Sequence, residues 1–382
     1  MTQYQIKIYE HTAELPANWD EIAAENIFLT RNYLHVLELS APKNMTCRFI
    51  GMFNHQKLCG IALSQFLDLN KLETFGERDK GIKNIVRNFI FKRFTSHVLL
   101  IGNNMLTGQN AFAYSQDENK VNILKALVMA AETLKIYYGN NGTKIHLISY
   151  KDFDDVDYAD FTTAGFGAFY RFSTQPNMVL DVNPHWSEFA DYVSALNKKY
   201  RDQYKRAQKK SADVVRVKMG LEDIIVHQET INNLYVHVAK NAPFNTFFLA
   251  ENHFVTLKEH LREKFLFYGY FVDGQLIGFN TLIKNGDVLD TYFLGYDEAI
   301  QRDRMLYLNM LYDMIGYAIK KKYRKIIFAR TALEIKSSVG ALPLEMYGFM
   351  QHQNPFLQSK IAQIFKYLEP DIQWQHRHPF KE

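Results

Sequence analysis

The sequence predicts an α/β chain in which one unit, with a mixed and mainly antiparallel sheet, occurs twice in tandem. Three observations support this prediction: a length of 382 residues, which exceeds what one hydrophobic core usually supports, an ordinary folded composition, and a hairpin that occurs twice. Hydrophobic residues make up 47% and charged residues 23% of the chain, with 9 prolines, which excludes disordered and collagen-like proteins. We expect one domain over residues 1–182 and a second over residues 183–382.

The repeated hairpin is the strongest signal in the chain. Residues 49–60 read FIGMFNHQKLCG and residues 267–278 read FYGYFVDGQLIG, with five identities at one constant offset of 218. In each copy two apolar runs flank a polar turn, and Asp273-Gly274 is a strong turn signal between strands. A duplicated unit of this kind predicts two domains of the same architecture.

The elements around the two hairpins follow the same order. A strand and two helices precede each hairpin, and a third strand, a long amphipathic helix, an apolar strand, a short helix and a strand pair follow it. The pattern places these elements at 5–9, 19–24, 31–39, 98–101, 121–138, 144–149 and 169–182, and again at 214–219, 228–239, 252–264, 288–294, 305–322, 325–328 and 344–351. The offset falls from 218 at the hairpin to 181 at Lys144 and Lys325, so the first copy carries about 37 extra residues (218 − 181), an insertion at roughly 71–115.

This element order resembles the GNAT acyltransferase fold, and two copies in series are similar to the tandem GNAT-fold acyltransferases typified by the Fem peptidoglycan peptidyltransferases. The resemblance covers nearly the whole chain. It implies transfer of an acyl group from an acyl-CoA or acyl-carrier thioester to an amine acceptor, by direct attack and without a covalent enzyme intermediate. It further implies that the second domain is catalytic, that a cleft separates the domains, and that no cofactor is tightly bound, since the thioester is a cosubstrate.

A basic segment opens the second domain. Residues 198–210 (KKYRDQYKRAQKK) hold seven cations and one anion, a local charge of +6 in a chain whose net charge is +4. Helical spacing places Arg201 and Lys205 on one face and Arg206 on the adjoining one. The like charges on these faces repel one another. A phosphate-bearing partner such as coenzyme A or transfer RNA would relieve this repulsion, as would water around a solvated connecting helix. The segment resembles the start of the second domain in this family, and the three residues are therefore expected to bind the donor.

The junction after the strand at 288–294 is a second candidate donor site. In related acyltransferases the first backbone N–H groups of the following helix face the donor pyrophosphate. Arg302 and Arg304 would add cations there. The sequence lacks the glycines that the family carries at this junction.

Two residues of the same strand are the predicted catalytic pair. Acyl transfer to an amine needs a group that accepts the ammonium proton and a group that protonates the departing thiolate. Asp290 and Tyr292 alternate along the strand and so project to one face, where they would act as base and acid. A solvent-facing carboxylate and a packing aromatic ring are the structural alternatives.

Polar residues after the next strand are expected to bind the substrate. Arg330 and Lys336 lie where the fold faces its cleft, and we assign them to an anionic group of the substrate, with Glu334 and Tyr296 beside them. Thr331 and Glu334 also match a capping box, which is the structural alternative for that pair. Surface charge is the alternative for the two cations.

The insertion predicts a basic amphipathic helix. Over residues 80–94 five cations interleave with apolar residues at spacings of three and four, a pattern typical of a helix on an anionic membrane surface or docked on its own domain. The sequence shows no signal peptide and no apolar run of about 18 residues, and it has only two cysteines. We therefore expect a cytoplasmic protein, or one peripheral to the inner face of the membrane, with a small-molecule or lipid amine as acceptor.

Two other functions remain open from the sequence. One is Fem-like transfer of an aminoacyl group from transfer RNA to a cell-wall precursor, although residues 228–264 leave no room for the long helical hairpin of those enzymes. The other is a non-catalytic module that binds an anionic lipid or glycan. Scattered histidines without thiol or carboxylate clusters predict no metal site, and apart from transfer RNA no nucleic acid is expected as a partner.

Overall fold

The structure is a computed structural model that describes residues 4–71, 96–154, 158–173, 175–241, 245–368 and 374–381. The chain divides into two compact units. The first comprises residues 1–174, 243–250 and 345–371, and the second comprises residues 175–242, 251–344 and 372–382. The basic amphipathic helix predicted at 80–94 lies outside the described residues.

The strands fall into two sheets. In chain order they are β1 (Gln5–Tyr9), β2 (Met45–Asn54), β3 (Lys57–Asp68), β4 (His97–Ile101), β5 (Phe112–Tyr114), β6 (Leu147–Asp154), β7 (Tyr170–Ser173), β8 (Asn177–Asp181), β9 (Val215–Met219), β10 (Phe265–Val272), β11 (Gln275–Asn285), β12 (Val288–Tyr296), β13 (Lys325–Ala329), β14 (Leu342–Leu344) and β15 (Met346–His352). The first sheet has the order β1-β2-β3-β4-β6-β15-β7, with β5 also paired to β3, and the second has the order β14-β8-β13-β12-β11-β10-β9. The pairs β4–β6 and β12–β13 are parallel, and the other pairs are antiparallel.

The described helices of the first unit are α1 (Trp19–Ala23), α2 (Arg31–Ser40), α3 (Lys120–Asn140), α4 (Tyr158–Thr163) and α13 (Pro355–Leu368). Those of the second unit are α5 (Phe189–Ala195), α6 (Lys198–Lys210), α7 (Leu221–Val226), α8 (Gln228–Lys240), α9 (His253–Leu261), α10 (Glu298–Arg304), α11 (Leu306–Lys320) and α12 (Leu333–Ser337). The long helices α3 and α11 supply the apolar side chains that form the main core against each sheet. No described helix is long and apolar enough to cross a membrane.

The predicted duplication is confirmed at the level of strand register. Gly51 pairs with Ile61 in β2–β3, and Gly269 pairs with Phe279 in β10–β11, which is the same pairing displaced by 218 residues. Both hairpins also carry a register shift at equivalent positions, after Met52 and after Tyr270.

The identities in the repeat have a packing reason. A Cβ atom on Gly51 would lie 2.8 Å from the Phe53 ring, and one on Gly269 would lie 2.7 Å from the Phe271 ring. A leucine of the second strand closes the same space in each copy. The glycine, phenylalanine and leucine therefore form one unit, in which the absent side chain makes room for the other two.

The last strand of each half is exchanged between the sheets. The predicted boundary at 182/183 assigns β8 to the first domain and β15 to the second, as parts of two strand pairs. In the structure β8 pairs with β13 and β14 of the second sheet, and β15 pairs with β6 and β7 of the first. Only Glu345 separates β14 from β15, and one residue is too short for a hairpin turn. The short connections from β7 to β8 and from β14 to β15 therefore each carry the chain from one sheet to the other.

Candidate active site

The second sheet opens between β12 and β13. The parallel pairing of these strands covers only three residue pairs and ends where Asp290 faces Ile327. Strand β12 nevertheless continues to Tyr296, paired with β11 on its other side. Beyond Asp290 no described strand pairs with the edge of β12 that faces β13, so the sheet is open at this point.

A β-bulge in β12 lies beside this opening. Thr291 pairs with Leu282 and Leu294 pairs with Asn280, so Tyr292 and Phe293 together stand opposite Thr281. The Thr281 hydroxyl donates a hydrogen bond of 2.6 Å to the carbonyl oxygen of Phe293, which fixes the bulge. Bulges of this kind re-aim side chains next to functional sites.

The bulge directs two aromatic rings to the face covered by α8 and α9. Phe293 makes an edge contact with Tyr235 of α8, and the Tyr292 hydroxyl lies 2.9 Å from Nε2 of His253, the first residue of α9. His253 is 0% exposed. Sequence reasoning did not select this histidine, because it is one polar residue at the start of an amphipathic helix and its partner is 39 residues away.

Asp290 lies on the same face and is buried. Leu289 belongs to the core under α11, and since side chains alternate along a strand, Asp290 projects away from that core, as Tyr292 does. Asp290 is 6% exposed, and its Oδ2 atom has no hydrogen-bond partner among the described residues. Burial raises the pKa of Asp290 to about 7, although a side-chain hydrogen bond from Asn285 acts in the opposite direction. The structure thus provides a carboxyl group that changes protonation near neutral pH.

Tyr296 lies on the other side of the sheet from this pair. The bulge changes the alternation, so that Leu294 and Tyr296 pack against the core under α11. The Tyr296 ring centroid is 6.0 Å from that of Tyr307, and burial raises the pKa of the Tyr296 hydroxyl. Tyr296, which was predicted to lie beside Arg330 and Lys336 at the substrate, thus packs on the opposite face of the sheet from Asp290 and Tyr292.

At the turn between β12 and α10, a carboxylate of the chain itself binds the first N–H groups of the helix. Asp297 is the N-cap residue of α10 and accepts hydrogen bonds from the backbone N–H groups of Ala299 and Ile300, at 2.9 and 3.3 Å. These N–H groups begin α10, whereas the helix expected to present its start to the donor pyrophosphate was predicted at 305–322 and corresponds to α11. The Asp297 side chain occupies the start of α10.

The two arginines of α10 are paired with carboxylates. Arg302 is exposed and lies 3.2 Å from Glu298 one turn earlier, whereas Arg304 makes a bidentate contact with Asp213, at 2.7 Å to its nearer oxygen. Each guanidinium therefore has its own counter-ion within the second unit, and neither lies free at the strand-to-helix turn.

The basic helix α6 packs through its uncharged face. Tyr200 and Ala207 are buried, Arg201 is partly exposed, and Lys205 and Arg206 are exposed. The C-terminal end of α6 is tied to the start of α11 by one buried side chain, because Asn309 Nδ2 donates to the Ala207 carbonyl oxygen at 3.0 Å. The structure thus presents the cations of α6 on its surface, as helical spacing predicted.

The loop after β13 adopts a conformation that the sequence did not indicate. Ala329, Thr331 and Ala332 have φ angles of 59°, 67° and 47°, in the left-handed region. Lys336 is 4% exposed, and its Nζ atom donates to the carbonyl oxygens of Ala329 and Arg330 at 3.1 and 2.6 Å. Burial lowers the pKa of Lys336 to about 7. Lys336 therefore holds the loop in place.

The other residues predicted around this loop are engaged locally. The Arg330 Nε atom donates to the Gln175 carbonyl oxygen at 3.1 Å, and Glu334 pairs with Arg377. The N-cap residue of α12 is Ala332, with no side-chain cap, so the capping-box alternative for Thr331 and Glu334 is not formed. Asp290, Tyr292 and His253 form one group in the described chain, and Arg330, Glu334 and Lys336 lie together at the loop after β13. The described residues bring no three histidine, cysteine or acidic side chains together in a way that could hold a metal ion.

The architecture and one domain match define the class of the protein. Each sheet repeats the GNAT order of strands, and residues 198–337 match the model of the acetyltransferase (GNAT) domain. The chain therefore has a tandem GNAT fold with an acetyltransferase domain in its second unit, and its class is that of the N-acyltransferases. This confirms the predicted fold class and enzyme class.

Particular solved structures share the fold over nearly the whole chain. The structure of FemX matches with a TM-score of 0.57 and 11% identity, covering 90% of this chain and 98% of that one. A conserved protein of unknown function from Bacteroides thetaiotaomicron matches with a TM-score of 0.52, 11% identity and coverages of 91% and 99%. A tandem GNAT protein from the clavulanic acid biosynthesis pathway matches with a TM-score of 0.50, 11% identity and coverages of 92% and 99%. A search of curated protein sequences finds no significant match.

Proposed function

We propose that the second unit transfers an acyl group from a thioester donor, acyl-CoA or an acylated carrier, to an amine acceptor at the opening between β12 and β13. The observation that carries the proposal is the position of Asp290. It is the last residue of β12 that pairs with β13, it is buried, and its Oδ2 atom lacks a partner among the described residues. An unpaired buried carboxyl oxygen beside an open strand edge is suited to accept a proton from a bound reactant.

The proposed reaction uses the two strand residues in sequence. The donor lies along the open edge of β12, and the acceptor nitrogen attacks the thioester carbonyl carbon, forming the C–N bond. Asp290 takes the proton that the nitrogen loses, and the C–S bond breaks as the tetrahedral intermediate collapses. The Tyr292 hydroxyl gives a proton to the departing sulfur, and His253 at 2.9 Å holds that hydroxyl in place.

The cations of the second unit have separate roles in this proposal. Arg201, Lys205 and Arg206 on α6 attract the anionic part of the donor from solution, because they are partly or fully exposed and no carboxylate among the described residues forms an ion pair with them. The charge of Asp297 at the start of α10 argues against a pyrophosphate held by that turn. Arg302 and Arg304 could bind donor phosphates only by leaving Glu298 and Asp213.

Residues of the loop after β13 have two different roles in this proposal, one structural and one in binding. Lys336 fixes the loop through two carbonyl oxygens, and we propose that Arg330 and Glu334 line the path by which the acceptor approaches. Tyr296 packs against the core under α11 and has no part in this path. The acceptor is an amine, either a small molecule or a lipid. Contact of residues 80–94 with an anionic membrane would favour the lipid.

A donor comparison tests the proposal. Purified protein is mixed with radiolabelled acetyl-CoA, with an acylated carrier protein or with aminoacyl-tRNA, together with an amine mixture, and label transfer is measured for each donor. We expect transfer from a thioester, and Asp290→Asn should lower it while Asp287→Asn, an exposed carboxylate just before the same strand, should not. Transfer from a thioester that is unaffected by Asp290→Asn would contradict the proposed base.

The shared fold with FemX favours one alternative, a Fem-like transferase that uses aminoacyl-tRNA and a cell-wall precursor. The exposed cations of α6 suit an RNA as well as a carrier. Label transfer only from charged RNA would establish this alternative. Absence of transfer from all three donors, with binding of anionic lipid vesicles or glycans, would instead indicate a non-catalytic module.

A further inference from the structure

A second concavity lies in the second unit, away from the candidate active site. It has a volume of about 530 Å³ and is bounded by β9, β10, α11 and the helices α5 and α6. It faces the core under α11, whereas Tyr292 projects from the opposite face of the sheet. In the order β12-β11-β10-β9, its strands are two and three positions from β12, or about 10 and 15 Å at the usual strand spacing.

Five of the twelve residues that line it are aromatic. Tyr204, Tyr268, Tyr312 and Tyr317 line it together with Phe189. The Arg216 guanidinium lies 3.9 Å from the Tyr268 ring centroid, so a flat cation stacked on an aromatic ring forms one side. Such stacked pairs and tyrosine faces are surfaces on which planar rings bind.

Glycine at position 316 keeps this space open. Gly316 lies inside α11, where glycine is about 1 kcal/mol less favourable than alanine. A Cβ atom there would already touch the ring of Phe189, another lining residue, at 3.4 Å. A larger side chain at position 316 would enter the space itself.

The charges around the concavity are unbalanced. Arg216, Lys218, Lys320 and Lys321 line it, and Asp313 is the one carboxylate among the lining residues, which leaves a net charge of +3. Asp313 Oδ1 lies 3.3 Å from Arg216, and its Oδ2 accepts a hydrogen bond of 2.8 Å from the Tyr270 hydroxyl. The Asp313 carboxylate is thus held in place by Arg216 and by the Tyr270 hydroxyl.

The three lysines form the other part of the charge pattern. Lys218 has a partner in Glu263 at 3.1 Å, but both side chains are well exposed to water, so this pair neutralises the rim only weakly. Lys320 and Lys321 are exposed at the end of α11 and form no ion pair with any described carboxylate. An anionic ligand would therefore find two or three ammonium groups at the rim.

We propose that this concavity binds a nucleoside phosphate at a site separate from the acyl donor. The planar base would lie against Arg216 and the tyrosines, with the phosphate at Lys320 and Lys321. Asp313 and the Gln208 amide would hydrogen-bond to ribose hydroxyls or base amino groups. Inorganic phosphate has no planar ring to stack on the aromatic walls. An uncharged nucleoside has no phosphate at its 5′ end to pair with the lysines.

Titration calorimetry on the full chain tests the site with UMP, AMP, uridine and inorganic phosphate. We expect a nucleotide to bind at least about tenfold more tightly than either fragment, and saturating acetyl-CoA to leave that affinity unchanged. Gly316→Leu should abolish binding, and the double variant Lys320→Ala/Lys321→Ala should weaken it about tenfold or more, less so at high salt.

Matched variants separate local effects from damage to the fold. Gly139→Leu introduces the same change at a helix glycine with no neighbour within 4 Å, and Lys43→Ala removes an exposed lysine of the first unit. Both should bind nucleotide normally, and thermal melts should show Gly316→Leu to be folded. If Gly316→Leu has a lower melting temperature than the parent protein, the location of the site is tested by the variant Lys320→Ala/Lys321→Ala alone.

Four results would overturn the inference: no nucleotide binding at millimolar concentration, phosphate binding as tightly as nucleotide, displacement by acetyl-CoA, or normal binding by both concavity variants. The outcome is independent of the acyl-transfer proposal, because Asp290→Asn should leave nucleotide binding unchanged.

Discussion

His253 and Tyr292, 39 residues apart in the chain, share a 2.9 Å hydrogen bond between the buried Nε2 atom of the histidine and the hydroxyl of the tyrosine. The bond joins the start of α9 to the bulge in β12. His253 is fully buried, so this contact is made away from solvent. This relationship makes Tyr292 a positioned hydroxyl rather than a freely rotating one.

Removing either member of this pair should slow turnover more than it weakens substrate binding. We expect Tyr292→Phe to lower kcat by about 10²-fold with little change in KM, because the thiolate loses its proton source. His253→Gln, whose amide can still meet the Tyr292 hydroxyl, should retain more activity than His253→Leu. Steady-state kinetics with the active donor provides the measurement, and a change confined to KM in Tyr292→Phe would contradict the assigned role.

The pKa of Asp290 sets the expected pH dependence. Since burial raises this pKa to about 7, the carboxyl group is increasingly protonated below pH 7 and cannot accept a proton. We expect kcat/KM to fall about tenfold for each pH unit below that point and to level off above it. An acidic limb that persists unchanged in the residual activity of Asp290→Asn would assign the titration to another group.

Lys336 should make stability rise with pH. Its folded pKa of about 7 lies below the ordinary lysine value of 10.5, so between these pH values the unfolded chain holds a proton that the folded chain has lost. The free energy of unfolding should therefore increase above pH 7, by at most about 1.4 kcal/mol per pH unit, while below pH 7 the cost of burying the charge is fully present. Urea denaturation of Lys336→Met between pH 7 and 9 should show a flatter dependence than the parent protein.

Gly295 is the contact point between β12 and α8. A Cβ atom there would lie 2.6 Å from the backbone carbonyl carbon of Leu234 and 2.7 Å from the Tyr235 nitrogen. Gly295→Ala should destabilise the protein by about 1–3 kcal/mol, since backbone atoms cannot move aside as a side chain can. Gly139→Ala, at an open helix position, should be neutral or stabilising by up to about 1 kcal/mol. Equal midpoints for the two variants in urea would contradict the contact.

The features predicted correctly from the sequence are those that depend on local spacing. The repeated hairpin could be located because Gly51, Phe53 and Leu58 pack on one another within twelve residues and recur as Gly269, Phe271 and Leu276. The amphipathic spacing of α11 likewise predicted a core helix. In the candidate site, strand alternation placed Asp290 and Tyr292 on one face, and the structure has them there.

The features that the sequence did not reveal depend on contacts between distant residues. Arg304 is 91 residues from its partner Asp213, and nothing in the basic pattern around it distinguishes a paired arginine from a free one. The bulge at Tyr292 moves Tyr296 to the other face through one extra residue, which simple alternation does not register. The left-handed angle of Thr331 is held by Lys336 and its neighbours, and β-branched residues give no local signal for it.

The exchange of β8 and β15 imposes an order on biosynthesis. Strand β6 and strand β7 emerge from the ribosome early, but the strand between them, β15, begins only at Met346, after residues 174–345 have been made. At about 5–20 residues per second, β6 and β7 of the nascent amino-terminal sheet wait on the order of 10–30 s for the strand that lies between them. The amino-terminal sheet therefore needs the carboxyl-terminal part of the chain for its completion. A truncation upstream of residue 346 removes the strand between β6 and β7, although the amino-terminal half itself is intact.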